Sequence, residues 1–76
     1  MKFKIENLAP DSSLAIINRL QEKFPNAKFN LDLESADKVL HVHGIPENEE
    51  NAALVERNIE ESGFKGAWLE REVNNL

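Results

Sequence analysis

The chain has no cysteine, one tryptophan, three glycines and three prolines among its 76 residues. Without cysteine there is no disulfide framework, no thiolate metal site and no thiol nucleophile, so the chain suits either redox compartment. Long apolar runs are also missing. Nothing approaches the ~18 residues of a membrane span, and Met1 to Lys4 is too short for a signal peptide. We therefore expect a cytoplasmic protein, or one domain of a longer chain, with no membrane association. Basic residues are in deficit, nine against fourteen acids, for a formal net charge of −5. Nucleic-acid binding draws most of its free energy from cations placed on phosphates, so this balance argues against it. A protein partner with a basic surface is the better match.

What is present is sufficient for one core and no more, so residues 1–76 are expected to form a single domain. Met1 to Glu6 alternates apolar and charged residues, the mark of a half-buried strand with Met1, Phe3 and Ile5 inward. Pro10 suits the first turn of a helix, and Asp11 or Ser12 can cap it. Ile16, Ile17, Leu20 and Phe24 then recur at helical spacing, with Ala15 beside them, until Pro25-Asn26. Lys28 to Leu33 alternates again, with Phe29, Leu31 and Leu33 on one side. Glu34 to Asp37 reads as a short hairpin loop, and Lys38 to Ile45 as a third strand. There Leu40 and Val42 point one way, while Val39, His41 and His43 point the other.

Pro46 to Glu50 opens a second helix whose acids lie near its positive end. Ala52, Val55 and Ile59 form its buried stripe, flanked by Leu54. Gly63 supplies a left-handed stop, and Phe64 packs back. A closing strand places Ala67, Leu69 and Arg71 opposite in sense to Trp68, Glu70 and Glu72, before a tail at 74–76. Strand, helix, strand, strand, helix, strand predicts an α+β, ferredoxin-like βαββαβ sandwich. In it a four-stranded antiparallel sheet carries both helices on one face, with the first and third strands central.

Taken in order, several stretches resemble the heavy-metal-associated domain of copper chaperones and metal-transporting ATPases. They are Lys4 to Leu8, Leu20 to Pro25, Asp32 to Glu34, Val42 to Gly44 and Ile59 to Phe64. The resemblance implies the ferredoxin-like scaffold and a Met-x-Cys-x-x-Cys metal motif at the first loop. Here that motif falls on Leu8, Pro10 and Ser13. Soft Cu(I) needs thiolates, which neither a proline nor a neutral hydroxyl replaces. The scaffold is therefore expected in a degenerate form, without its usual metal site.

Two other groupings carry possible chemistry. His41 and His43 leave the same strand face with Cα atoms roughly 6.5–7 Å apart, close enough to converge on Zn²⁺ or Cu²⁺ if Asp32, Asn30 or Glu6 supplies a third ligand. The bland alternative is two polar residues on a solvated sheet. That same face is expected to hold Lys2, Lys4, Lys28, Val39 and Trp68, a docking surface centred on Trp68, Val39 and His41. A register slip at a short edge strand would instead tuck Trp68 inward. Ser12 and Ser13 suggest a nucleophile, but the histidines face away from the helices and no glycine-rich oxyanion loop is present. The expectation is a non-enzymatic interaction or regulatory module with no cofactor. The alternative is a metal-binding domain using His41, His43 and Asp32.

Overall fold

In the computed structural model, which describes residues 1–6, 8–32 and 38–70, the opening alternation becomes β1 (Lys2–Glu6). Phe3 and Ile5 are buried, Met1 is half-buried, and Lys2 and Glu6 are exposed. Leu8 closes the strand into the core. The expected loop at 34–37 lies outside the described residues, as do Asn7, Leu33, Arg71, Glu72 and the tail.

Helix α1 (Pro10–Lys23) places Pro10 in its first turn, where a missing N–H costs nothing. The residue before it is Ala9, extended and without a side-chain cap. Neither Asp11 nor Ser12 caps the helix, because both already lie inside its first turn. Asp11 still puts a negative charge at the positive end of the dipole. Ile16 and Leu20 are buried together with Ser13, while Ile17 and Phe24 sit half-buried at the margin and Ala15 is exposed.

Strands β2 (Lys28–Asp32) and β3 (Lys38–His43) pair antiparallel, with Leu40 and Val42 buried. β3 stops at His43 rather than Ile45, because Gly44 takes a φ of +94° and turns the chain. Helix α2 (Glu49–Glu61) begins later than expected. Its cap is Asn48, whose Oδ1 accepts the Asn51 backbone N–H at 2.8 Å, while the Asn51 amide donates to the Pro46 carbonyl at 2.8 Å. Pro46 and Glu47 therefore lead into the helix instead of forming its first turn. Ala52, Val55, Asn58 and Ile59 are buried, and Leu54 flanks them half out of the core. Gly63, at φ +95°, ends the helix in the left-handed conformation.

The last strand, β4 (Lys65–Trp68), completes one antiparallel sheet in the order β2-β3-β1-β4. This is the ferredoxin-like βαββαβ plan, with β1 and β3 in the centre. Phe3, Ile5, Leu40 and Val42 from the sheet and Ile16, Leu20, Val55 and Ile59 from the helices make one continuous core. The helices join across their outer sides through Arg19, which donates to Asn58 Oδ1 and pairs with Glu61.

β4 runs antiparallel as expected, but its side chains face the opposite way. It starts at Lys65, and its register pairs Phe3 with Trp68 and Ile5 with Gly66. Residues directly opposite in a ladder share a face, so Trp68 points toward the helices and packs against the core. Periodicity was uninformative here, since Gly66, Ala67, Trp68 and Leu69 are apolar at both parities. The helix above decides the matter. A Cβ on Gly66 would lie 2.7 Å from Ile59 Cδ1, so glycine lets α2 settle on this strand without displacing that side chain. The Trp68 backbone N–H then donates to Glu56 Oε2 at 2.9 Å, a carboxylate of α2 that covers the outer edge of β4.

Two substitutions, one at a turn and one inside β4, measure how tightly the fold is drawn. Gly44→Ala sets a Cβ 2.8 Å from the Asn26 carbonyl oxygen at a positive φ, and neither backbone can yield. It lowers stability by about 2–3 kcal/mol. Gly66→Ala meets the Ile59 side chain, Cδ1 at 2.7 Å and Cγ2 at 3.2 Å, with no backbone in the way, and costs about 1–2 kcal/mol. Urea unfolding midpoints check this, and the order Gly44 above Gly66 is the decisive result.

Candidate functional site

The sheet face away from the helices is built by the outward residues of all four strands, and the pairing fixes its rows. Asn30, His41 and Lys2 lie across one row, and Asp32, Val39, Lys4 and Ala67 across the next. Lys28 stands opposite His43 at one end, and Glu6 opposite Lys65 at the other. Leu69, 48% exposed, follows β4 and donates its N–H to the Lys2 carbonyl at 2.8 Å.

Val39, His41, Lys2, Lys4 and Lys28 thus lie on the open face as expected, and Trp68 does not. The third member of the anticipated docking trio is on the core side, opposite Phe3. The face is consequently polar, with Val39 and Ala67 as its apolar centre. Lys65 and Ala67 join it from β4. Sequence reasoning missed Ala67 because it inverted the parity of that strand, and Lys65 because it began the strand at Ala67, although the opposite-charge pair Glu6 and Lys65 was a usable signal.

The face also has a charge of its own. Lys2, Lys4, Lys28 and Lys65 stand there against Glu6 and Asp32, four cations to two anions. Helix α2 holds Glu49, Glu50, Glu56, Glu60 and Glu61 against Arg57, five to one in the other direction. A chain that is acidic as a whole therefore has a cationic sheet and an anionic second helix. Summed net charge conceals this, because it has no direction.

His41 is half-buried and His43 exposed, both on the open face. The register does not bring Asp32 to them. Asp32 lies opposite Val39, whereas His41 is flanked by Asn30 and Lys2, and His43 faces Lys28. Among the described residues no group of three or more His, Asp or Glu side chains is placed to hold a metal ion. The set His41, His43 and Asp32 is thus not gathered, because two lysines occupy the directly opposing positions.

The Pro10 corner is equally committed to structure. Leu8 is buried in the core and Pro10 is exposed. Ser13 is only 7% exposed, and its hydroxyl donates to the Pro10 carbonyl at 2.7 Å. These three positions offer a hydrocarbon, a ring and an occupied hydroxyl, which do not fit a soft metal ion. Ser13 is also separated from both histidines by the sheet, so the two cannot act as nucleophile and base. Further along α1, Leu14 is 69% exposed, the most exposed large apolar side chain among the described residues. Helical spacing from Ile16 and Leu20 was the available signal that it points outward.

No helix of the described residues is long and apolar enough to cross a membrane. No protein-family model matches the chain, and no curated protein matches it either.

The two serines of the corner separate by mutation. Ser13→Ala removes a buried side-chain donor and costs about 1 kcal/mol. Ser12→Ala, inside the first turn and not at its cap, stays within about 0.5 kcal/mol of the parent. Chemical denaturation of both variants checks this; equal losses would return the capping role to Ser12.

Proposed function

We propose that this protein is a non-catalytic interaction module, cytoplasmic, on a scaffold resembling a heavy-metal-associated domain that has lost its sulfur ligands. It docks a protein partner on the open sheet face. One observation carries this reading: the face is broad, free of helices and opposite in charge to the rest of the chain. The chemistry it favours is an acidic segment lying across Lys2, Lys4, Lys28 and Lys65, with Val39 and His41 beneath it. The basic partner that the net charge favours would meet α2 instead. We assign the sheet because its rows of side chains give a continuous contact area, whereas a helix exposes a narrower stripe.

A glutamate-rich peptide is the simplest probe. Titrated into ¹⁵N-labelled protein at low salt, it shifts the amides of Lys2, Val39 and His41 and spares α2. The shifts fade as screening shortens at 0.5 M salt. Lys2→Glu weakens the peptide roughly three- to tenfold. Shifts confined to the helices, or none at all, would remove the sheet face from consideration.

His41 and His43 enter this reading as contact residues. Their shared face also suits a metal-binding role with Zn²⁺ or Cu²⁺, but the lysines opposite them oppose the approach of a cation. Micromolar Zn²⁺ accordingly leaves both imidazole spectra in place. A coupled movement of the two rings would establish a metal centre and displace the docking proposal from this part of the sheet.

A further inference from the structure

We propose that two copies of this chain pair edge to edge through β2, about a two-fold axis at Asn30, and that α1 closes the same interface from below. β2 ends the sheet order, so its outer edge meets no other strand of the described residues. The strand reads Lys28-Phe29-Asn30-Leu31-Asp32, with apolar residues one step from Asn30 and opposite charges two steps away. Antiparallel pairing about Asn30 sets Lys28 opposite Asp32 of the second copy and Phe29 opposite its Leu31.

The hydrogen bonds agree with that register. Met1 and Val42 exchange bonds, Met1 N to Val42 O at 2.9 Å and Val42 N to Met1 O at 2.8 Å. Val42 and Leu40 therefore bond toward β1, and His43, His41 and Val39 toward β2. Their partners Lys28, Asn30 and Asp32 point their backbone groups inward, which leaves those of Phe29 and Leu31 directed off the edge. Those are the two residues that the two-fold brings together as hydrogen-bonded pairs. The axes at Phe29 and at Leu31 satisfy the same parity. Only the axis at Asn30 places Lys28 across from Asp32, so charge selects the register.

Helix α1 supplies an independent observation. It packs over β2 while α2 packs over β4. Arg19 marks the side of α1 that faces α2, through Asn58 and Glu61. Pro10, Leu14, Ile17 and Gln21, spaced by four, three and four residues, form a stripe turned toward the β2 edge. A strand spacing of ~4.8 Å puts the two-fold about 2.4 Å beyond β2. At the ~8–10 Å spacing of packed helices, two antiparallel α1 helices each sit about 4–5 Å from that axis, set back from β2 toward β3, and Leu14 gains cover that the single chain does not give it. Five-residue strands alone bury less than the ~1,600 Å² of a standard interface, so the pairing is weak and concentration-dependent.

Sedimentation velocity of the intact chain from 10 µM to 1 mM tests this. Mass rises from monomer toward dimer across the series. Lys28→Asp places like charges opposite each other twice per dimer and raises the dissociation constant roughly tenfold or more. Asp32→Lys does the same, and the double variant Lys28→Asp/Asp32→Lys restores the dimer. Leu14→Asp, at a solvent-exposed site, weakens it without altering the circular dichroism of the fold. A monomer at every concentration would overturn the proposal. So would a double variant no better than either single one, or interface amide shifts that fall on β4 rather than on β2 and α1.

Discussion

The pairing of β1 with β3 is the constraint on which the rest of this structure depends. Phe3 lies opposite Leu40, and both are fully buried. Along the same two strands Ile5 and Val42 extend the apolar surface on which both helices rest. The pleat has a period of two, so burying these four side chains sends Lys2, Lys4, Val39, His41 and His43 to the other side. The core and the candidate docking face are thus two consequences of one alternation. A change of parity in either central strand would exchange them.

The helices divide the electrostatics as well as covering the core. α2 gathers acid along its length, beginning with Glu49 and Glu50 where the dipole favours them. One of its carboxylates, Glu56, reaches the edge of β4 and accepts the Trp68 N–H. Lys2, Lys4, Lys28 and Lys65 are left on the open face of the strands, while Lys38, opposite Ile5, lies on the helix side. The first loop and helix start, where the resemblance places a metal motif, are given over to packing and a local hydrogen bond between Ser13 and Pro10.

Much of this architecture was legible in the residues. β1, the buried positions of β3 and the stop at Gly63 carry strong local signals, namely period-two patterning and a glycine after a helical run. The histidines and Val39 could be placed on the open face by parity alone. Trp68 could not. In Gly66 to Leu69 both parities are apolar, and the choice falls to Ile59, which crowds a side chain at position 66. The cap of α1 was misplaced for a related reason. Asp11 and Ser12 are good capping residues, yet Pro10 already occupies a helical position and moves the cap to Ala9.

The sequence by itself determined the order of elements, the inward sets of β1 and β3 and the absence of thiolate chemistry, because these depend on local periodicity and composition. Tertiary packing decided which way β4 faces, which residues stand opposite the histidines and how charge is shared between sheet and helix. Those outcomes depend on contacts between residues far apart in the chain. Ile59 over Gly66, Lys2 beside His41 and Lys28 opposite His43 come together only once the strands are in register.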